Sequence, residues 1–287
     1  MEILLSGKPA SEKVLSSIEE KLKELQLAGS PVPHLAVIQV GDDPASTVYV
    51  KNKIKTSKKL GMRATLHHLK ESASQSEVLS LIENLNEDED IHGILVQLPL
   101  PSHIDADKVL KTLKPLKDVD CLHPENVGAL WLGKPFVKPC TPAGIIELLK
   151  FYQVSVEAKR AVIVGRSNIV GKPLCALMLQ ENATVTLCHS KTKELPKVCQ
   201  EAEILVAAMG KPRFITSEFV REGAVVIDVG VNRIKNETGE EVLTGDVDFE
   251  QVKHKVHAIS PVPGGVGPMT IAMLMKNLFI CYEAQRK

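Results

Sequence analysis

The stretch Val162-Ile-Val-Gly-Arg-Ser-Asn-Ile-Val-Gly-Lys-Pro173 predicts the fold of the chain around it. An apolar run ends at Gly165, a tight turn follows, and Gly171 opens a predicted helix. A strand, a glycine turn and a helix in this order bring backbone N–H groups at a helix N-terminus against the phosphates of a nucleotide. The spacing differs from G-x-G-x-x-G, so an ordinary strand-to-helix turn is the alternative. Arg166 and Ser167 fill the turn and favour the phosphate site, because both side chains can donate hydrogen bonds to an anion.

The residues after the next strand indicate which dinucleotide this site takes. In an NAD site, an acidic residue about 20 positions on accepts a hydrogen bond from the ribose 2′-hydroxyl. Here the strand predicted over 183–188 is followed by His189, Ser190 and Lys191, with no carboxylate among them. A hydroxyl and basic side chains, with Arg166 in the first turn, suit a 2′-phosphate, so the sequence predicts NADP. The alternative is that His189 and Lys191 are solvated loop residues.

Composition argues against several other classes of protein. The 287 residues carry a formal net charge of zero, which gives no electrostatic basis for binding nucleic acid or an anionic membrane. The apolar runs are of strand length, well short of the roughly 20 residues that a membrane helix needs. The first residues show neither a basic segment nor a small-residue cleavage site, so we expect a cytoplasmic protein without a signal peptide.

The cysteines and histidines follow no metal-binding or disulfide pattern. No C-x-x-C, H-x-x-x-H or H-E-x-x-H spacing occurs, so we expect no metal site. Most of the cysteines lie inside apolar runs, which predicts buried free thiols in a reducing compartment. The cysteines are Cys121, Cys140, Cys175, Cys188, Cys199 and Cys281.

Strand-like and helix-like segments alternate along the chain, which predicts an α/β protein with parallel sheets. Prolines punctuate a loop-rich crossing from Pro99 to Pro142, broken by one short helix, and this crossing separates two αβα lobes. We expect a first domain over residues 1–138, a Rossmann-type dinucleotide-binding domain over 139–268, and an apolar last helix, within 269–287, that packs back on the first lobe. Beyond the opening stretch, strands are predicted at 35–40, 64–69, 93–98, 183–188, 204–208 and 224–229, and helices at 11–27, 44–60, 75–85, 105–113, 142–151 and 269–282.

A second group of candidate residues lies in the first lobe. Tyr49 and Lys53 are four residues apart on the helix predicted over 44–60, so they project from one face. An aromatic ring beside an amine suits a flat, nitrogen-rich ligand, although an exposed tyrosine and lysine on a helix is the alternative. Gln97 favours a site, because it is a polar residue near the C-terminal end of an apolar, central strand, where open α/β sheets bind ligands. A buried glutamine needs partners, and Lys53 is a candidate.

Three polar residues of the proline-rich crossing are weaker candidates. Asp118 and Asp120 lie where a carboxylate can face a ligand, but for each of them a capping role or a solvated loop position is the alternative. His123 has no partner that the sequence identifies, so we expect it to be structural.

These residues belong to motifs that stand in the order and spacing of one protein family. The sequence resembles the bifunctional methylenetetrahydrofolate dehydrogenase/methenyltetrahydrofolate cyclohydrolases from end to end. One residue departs from the pattern: Cys121 follows Asp120 where the family usually has glycine, which leaves the local backbone of this loop open. The motifs are Tyr49-Val-Lys-Asn-Lys53, Gly93-Ile-Leu-Val-Gln-Leu-Pro-Leu-Pro101, Lys117-Asp-Val-Asp120, Pro139-Cys-Thr-Pro142, Gly165-Arg-Ser-Asn-Ile-Val-Gly-Lys-Pro173 and Pro261-Val-Pro-Gly-Gly-Val-Gly-Pro-Met-Thr270.

The resemblance implies a folate-binding first lobe, NADP along the second lobe, a homodimer and a role in one-carbon metabolism and purine biosynthesis. It implies Lys53 as the catalytic residue, with Tyr49 stacking on the folate, Gln97 holding Lys53 and binding substrate, and Asp120 binding the pterin. The residues that it implies at NADP are Gly165, Arg166, Ser167, Gly171, Ser190 and Gly265.

Two other classes of function stay open at this point. Another two-lobed NADP oxidoreductase, acting on a small hydroxy acid or keto acid, would move a proton with its hydride and would not need Tyr49, Lys53 and Gln97 together. A non-catalytic nucleotide-binding sensor is the second class, and the presence of Lys53 disfavours it.

Overall fold

The computed structural model describes residues 3–235 and 239–286. The chain divides into two units. We use "first lobe" for residues 13–140 with 271–286, and "second lobe" for residues 3–12 with 141–270.

Strands and helices alternate through most of both lobes. The strands are β1 Ile3–Leu4, β2 His34–Val40, β3 Arg63–Leu69, β4 Gly93–Val96, β5 Arg160–Val164, β6 Thr184–Cys188, β7 Ile204–Ala207, β8 Val225–Asp228, β9 Asn232–Lys235, β10 Glu241–Thr244 and β11 Ala258–Ile259. The helices are α1 Gly7–Leu27, α2 Pro44–Lys59, α3 Gln75–Glu87, α4 Ala106–Thr112, α5 Pro124–Trp131, α6 Cys140–Phe151, α7 Gly171–Gln180, α8 Leu195–Gln200, α9 Phe249–Val252 and α10 Val266–Ala284, with 3₁₀ turns at Pro115–Lys117 and Ser217–Phe219.

The first lobe is built on a parallel sheet in the order β3-β2-β4. Every residue of β2 is buried, as expected for a parallel strand covered on both faces. β4 lies at the edge of this sheet, not at its centre as its apolar sequence predicted. It is nevertheless buried, because Asp118 pairs with Ile94 along its outer side and α10 packs over Gly93.

The second lobe contains a sheet in the order β1-β11-β8-β7-β5-β6, in which each neighbouring pair is parallel. Its central strands β7 and β8 are fully buried. A separate antiparallel pair, β9 with β10, follows β8. The carboxyl ends of parallel strands meet at one edge of a sheet, so the loops after β5, β6, β7 and β8 lie together at that edge.

The C-terminal helix α10 belongs largely to the first lobe. Its apolar composition is explained by burial, since Leu274, Leu278 and Tyr282 are almost completely inaccessible to solvent. The Tyr282 hydroxyl donates a hydrogen bond to the carbonyl oxygen of Pro31. Within residues 3–235 and 239–286, none of the helices combines the length and hydropathy that crossing a membrane requires.

The predicted α/β fold, with its Rossmann-type second half and its C-terminal helix against the first lobe, is confirmed. Where prediction and structure differ, the cause is mostly a tertiary contact. The strand predicted to reach Leu98 ends at Val96, where its pairing with β2 stops at Ile38. The proline-rich crossing contains α5 in addition to the predicted short helix, because Pro124 fits the first helical turn, where its missing N–H has no cost.

We predict that a methyl group at Gly93 destabilises the first lobe. A Cβ there would lie 2.3 Å from Val119 Cγ1 and 2.7 Å from Leu278 Cδ1. Overpacking of this kind costs about 1–3 kcal/mol, so Gly93→Ala should lower the free energy of unfolding by that amount. Chemical denaturation followed by circular dichroism measures it.

Gly128→Ala is the matched control, because a Cβ at Gly128 meets no atom within 4 Å. In a helix interior this change should stabilise the protein by roughly 0.5–1 kcal/mol. Equal stability of the two variants would show that β4 is not tightly packed against Val119 and α10.

Candidate active site

Helix α2 presents Tyr49 and Lys53 one turn apart. The helix begins at Pro44, and the preceding Asp43 caps it by accepting a hydrogen bond from the Ser46 N–H at 2.7 Å. Four residues along this helix bring two side chains to the same face. Tyr49 is 37% exposed, and Lys53 is half-buried. An aromatic face accessible to a ligand therefore stands beside an amine.

Gln97 lies next to that amine. It follows β4 directly, and its N–H donates to the Ile38 carbonyl oxygen at 2.9 Å, so the β2–β4 pairing fixes its backbone. The Lys53 Nζ donates to Gln97 Oε1 at 3.2 Å. The Gln97 Nε2 donates to the Leu98 carbonyl oxygen at 2.6 Å, which holds the amide with its oxygen towards the lysine. The expected Lys53–Gln97 contact is therefore present.

The loop that carries Asp120 is anchored through Lys117. This lysine is only 5% exposed, and its Nζ donates to the carbonyl oxygens of Leu85 at 3.0 Å and Asp88 at 2.7 Å. These carbonyls lie at the C-terminal end of α3, where a cation is favoured. Burial lowers the pKa of Lys117. The lysine thus ties the loop to a helix end.

Asp118 is buried, so it is not the solvated loop residue that the sequence alone allowed. Its Oδ2 accepts hydrogen bonds from Asn126 Nδ2 at 2.9 Å and from the His123 N–H at 2.8 Å. Burial raises the pKa of Asp118 against the opposite effect of these hydrogen bonds. His123 caps α5, where its Nδ1 accepts from the Glu125 N–H at 3.2 Å, which is a structural role.

Asn277, on α10, holds the backbone immediately before Asp120. Its Nδ2 donates to the carbonyl oxygens of Val119 at 2.8 Å and Lys138 at 2.7 Å, and it lies 3.5 Å from Cys140 Sγ. The residue is 1% exposed, so these contacts satisfy a buried amide. The C-terminal helix therefore fixes the position of the Asp120 loop.

Cys140 lies close to both Asp120 and Lys53. Burial and the Asp120 carboxylate raise the pKa of Cys140 well above its ordinary value, while the Lys53 charge acts in the opposite direction. The Cys140 Sγ donates to the Val119 carbonyl oxygen at 3.5 Å. The thiol is therefore a neutral group beside a carboxylate and an amine. Because Asp120 and Lys53 both act electrostatically on this thiol, the three side chains lie in one region of the first lobe.

Cys121 adopts the left-handed conformation, with φ 58°. Glycine reaches this region without steric cost, whereas another L-residue loses on the order of 1 kcal/mol. Cys121 therefore has the backbone that a glycine at this position would favour. Its side chain is fully buried, and burial with the nearby carboxylates of Asp118 and Asp120 raises the pKa of its thiol.

In the second lobe, the Gly165–Gly171 turn is closed tightly. A Cβ at Gly165 would lie 2.0 Å from the Ala208 carbonyl oxygen, and one at Gly171 would lie 1.8 Å from the Gly165 carbonyl oxygen. The Ser167 hydroxyl accepts from the N–H groups of Val170 at 3.1 Å and Gly171 at 3.5 Å, which leaves its own proton for another acceptor. A side chain at either glycine would collide with these carbonyl oxygens, so the turn can close in this way only with glycine at both positions.

The end of β6 lies next to this turn. The Gly165 N–H donates to the Cys188 carbonyl oxygen at 2.9 Å, so Arg166 and Ser190 follow directly from paired strand ends. The side chains of Arg166 and Ser190 are exposed. His189 closes its own turn, since its Nδ1 accepts from the Lys191 N–H at 3.1 Å. One of the two ring nitrogens of His189 therefore takes part in a hydrogen bond within its own loop.

Gly265 lies in the turn that precedes α10. Its N–H donates to the Pro261 carbonyl oxygen at 2.8 Å, and its own carbonyl oxygen lies 1.8 Å from a Cβ built at Gly7. The residue is buried. This position constrains the backbone of the glycine-rich loop at the start of the last helix.

Sequence reasoning missed the residues that hold both sites in place. Asn277 is a polar residue inside an apolar helix, and that signal predicts a buried amide with partners. Cys140 stands in the Pro139-Cys-Thr-Pro142 motif, yet the motif gives no sign of its electrostatic interaction with Asp120. Asp228 ends the apolar strand β8 and Asp246 lies two residues after β10; both are buried carboxylates of the second lobe for which the sequence patterns gave no signal.

Comparison with protein families gives two matches that together span most of the chain. Residues 139–286 match the tetrahydrofolate dehydrogenase/cyclohydrolase NAD(P)-binding domain, and residues 5–120 match the tetrahydrofolate dehydrogenase/cyclohydrolase catalytic domain. The chain is 53% identical over 279 residues to the bifunctional protein FolD of Streptococcus thermophilus, with 97% of each chain covered.

Solved structures agree with these matches. The bifunctional methylenetetrahydrofolate dehydrogenase/cyclohydrolase FolD of Campylobacter jejuni is 46% identical with a TM-score of 0.92, covering 99% of this chain and 100% of that one. The Trypanosoma brucei enzyme of the same description, complexed with NADP cofactor and an inhibitor, is 34% identical with a TM-score of 0.95, covering 100% of this chain and 99% of that one.

Proposed function

The chain belongs to the tetrahydrofolate dehydrogenase/cyclohydrolase family, and we propose that it oxidises 5,10-methylenetetrahydrofolate with NADP and hydrolyses the 5,10-methenyl product to 10-formyltetrahydrofolate. The observation that supports this most directly is the hydrogen bond of 3.2 Å between Lys53 Nζ and Gln97 Oε1 beside the accessible ring of Tyr49. An enzyme that oxidises a small hydroxy acid has no need for this arrangement.

The folate is assigned to the residues around Lys53. Tyr49 stacks on the folate ring system, and Asp120 accepts hydrogen bonds from the polar edge of the pterin. Gln97 contacts the substrate and keeps the Lys53 amine in place. The support is positional: Tyr49 and Lys53 share one helix face, and the Cys140 thiol lies near both Asp120 and Lys53.

The oxidation needs positioning and no proton carrier. The methylene carbon lies between two nitrogens whose lone pairs expel a hydride and leave a delocalised methenyl cation. NADP, when bound, accepts that hydride. The chain's own contribution is to hold the reacting carbon in one orientation, for which Tyr49 and Asp120 are the groups available in the first lobe.

The hydrolysis needs proton transfer twice. Water must lose a proton as it attacks the methenyl carbon, and a ring nitrogen must gain one as the carbinolamine opens. An amine held beside the substrate can take the first proton and deliver the second. Lys53 is that amine, and the hydrogen bond to Gln97 fixes where its protons are exchanged.

NADP is assigned to the second lobe. Gly165 and Gly171 permit close approach of the phosphates, and Arg166 and Ser167 add donors from the same turn. Ser190 stands where an NAD site would carry an acidic residue. Gly265 shapes the glycine-rich loop before α10. The tight backbone of the first turn, where either Cβ would collide with a carbonyl oxygen, fits this ligand.

We expect the functional unit to be a cytoplasmic homodimer. Within the part of the chain that the structure describes, β6 is an edge strand of the six-stranded sheet with one side unpaired. The second lobe also exposes Ile169, Leu179 and Leu243. An exposed edge with apolar neighbours is a surface that a second copy can cover. The enzyme recovered from the cytosolic fraction should have twice the chain mass by light scattering at micromolar concentration; a monomer would contradict this.

We predict that Arg166→Ala with Ser190→Ala lowers kcat/KM for NADP much more than for NAD. Each lost hydrogen bond to a charged group costs about 1.5–3 kcal/mol, so the NADP value should fall at least about tenfold. Arg160→Ala, an exposed arginine at the opposite end of β5, should change neither value. A wild-type enzyme that prefers NAD would overturn the assignment.

We predict that Lys53→Met separates the two activities. The substitution keeps chain length and apolar bulk on α2 while removing the amine. General acid–base groups contribute about 10²–10⁴-fold, so cyclohydrolase activity should fall by at least the lower figure, and dehydrogenase activity should fall less. The variant should release methenyltetrahydrofolate, which its absorbance detects, in place of the formyl product.

Two further variants are compared with Lys53→Met. Lys55→Met alters an exposed lysine of the same helix and should leave both activities intact. Asp120→Ala should raise the KM for folate and depress both activities together, by about 1.5–3 kcal/mol. If Lys53→Met reduced both activities equally with folate binding unchanged, Lys53 would also serve the hydride step, and the division by proton demand would be wrong.

A further inference from the structure

Asp246 holds three successive backbone amides of a distant loop. It lies two residues after β10 and is fully buried. Its carboxylate accepts hydrogen bonds from the N–H groups of Met209 at 2.6 Å, Gly210 at 2.9 Å and Lys211 at 2.8 Å. These three residues lie in the loop after β7, which begins at Ala208. Charge-assisted bonds of this kind are stronger than neutral ones, so the loop is held from within the protein.

The same carboxylate also holds the start of β9, where the loop after β8 ends. Asn232, the first residue of β9, donates from Nδ2 to Asp246 Oδ1 at 2.9 Å. Asp228, the last residue of β8, accepts from the N–H groups of Gly230, Asp246 and Val247, each at 2.9 Å. The Asp228 side chain therefore fixes the backbone of Asp246, and Asp246 in turn fixes the two loops.

Two glycines make room for this network. A Cβ at Gly230 would lie 2.3 Å from Asp246 Oδ1, and one at Gly245 would lie 1.7 Å from Asp228 Oδ2. Any side chain at either position would displace a carboxylate. The backbone thus passes within contact distance of both charges, which keeps the carboxylates and the loops in one arrangement.

The loop that Asp246 holds packs against the dinucleotide turn. β7 pairs with β5 and with β8, so the loops after β7 and β8 emerge beside the Gly165 turn. The contact is direct, because a Cβ at Gly165 would lie 2.0 Å from the carbonyl oxygen of Ala208, the residue before the three held amides. Since the side chain of Asp246 is buried, it acts on this edge through the loops.

Burying two carboxylates costs free energy, so loop stability alone is a poor explanation for this pair. Burial, with the nearby Asp246 charge, raises the pKa of Asp228 to about 6 against the effect of its three hydrogen bonds. Replacing buried charges by well-packed apolar side chains is often neutral or stabilising. Asp246 accepts from four donor groups, three in the loop after β7 and one at the start of β9. This arrangement is better explained as fixing the geometry of that backbone than as adding to the stability of the fold.

We propose that Asp246 is a positioning residue for NADP, which sets the loops after β7 and β8 against the dinucleotide and does not touch it. The proposal rests on the proposed function, because it assigns NADP to this edge of the second lobe. If Asp246 only positions NADP, changing it should not affect the first-lobe chemistry around Lys53. If Asp246 contributes to folding in general, both should be affected.

Asp246→Asn tests the proposal, because it keeps the shape of the side chain while removing its charge and half of its acceptors. NADP affinity, measured by isothermal titration calorimetry, should weaken about tenfold or more, as expected for lost charge-assisted bonds. The KM for NADP should rise with it. Hydrolysis of methenyltetrahydrofolate, assayed without dinucleotide, should be unchanged. Asp248→Asn, the same substitution at the cap of α9, should leave NADP affinity unaltered.

The outcomes separate the proposals. An unchanged NADP affinity in Asp246→Asn, or a parallel loss of hydrolysis and NADP binding, overturns the positioning role. If Asp246→Asn does not fold, Asn232→Ala, which removes one bond to Asp246, should weaken NADP binding with hydrolysis retained; no weakening overturns the proposal. A wild-type enzyme that binds NADP but lacks both activities refutes the proposed function, while the calorimetric comparison still decides the role of Asp246.

Discussion

Neighbouring strands of the six-stranded sheet and of the first-lobe sheet all pair in parallel. Parallel pairing requires a crossover between successive strands, so the loops that leave the carboxyl ends gather at one edge of each sheet. Gln97 follows β4 in the first lobe, and Arg166 and Ser190 follow β5 and β6 in the second. The position of both candidate sites is a consequence of this pairing.

Loops at such an edge lack the regular backbone hydrogen bonds of a sheet, and buried polar side chains supply hydrogen bonds in their place. Asn277 satisfies the carbonyl of Val119 before the Asp120 loop, and Asp246 accepts hydrogen bonds from the amides after β7. Burying these groups costs free energy unless each is paired. Because each has partners, the loops have one low-energy arrangement and can present neighbouring side chains in fixed positions.

The two reactions make different demands on these positions. Hydride loss from a carbon between two nitrogens is assisted by orientation, whereas hydrolysis of the cation also needs a group that exchanges protons. We propose that Lys53 is that group, and Gln97 accepts a hydrogen bond from it without adding a charge.

Local sequence was enough to predict those helices and strands whose ends carry caps, prolines or glycine turns, and to identify the residues that follow them. Asp43-Pro44 and Gly61 delimit α2, and the turn from Gly165 to Gly171 identifies the dinucleotide edge, because caps and glycine turns act within a few residues. The family motifs added candidate roles for Tyr49, Lys53 and Asp120, and those roles remain predictions. The residues themselves lie on the elements that the pattern predicted.

Tertiary structure alone decided the contacts between residues far apart in the chain. β1 pairs with β11 through two residues each, which is too short for any periodicity to reveal. Asn277 reaches Val119 across 158 positions, and Asp246 reaches Met209 across 37. A hydrogen bond between distant segments depends on how the whole sheet brings them together, and it leaves no repeating pattern in the local sequence. The sequence therefore determined which residues stand at the strand ends, and only the packed fold decided what holds them there.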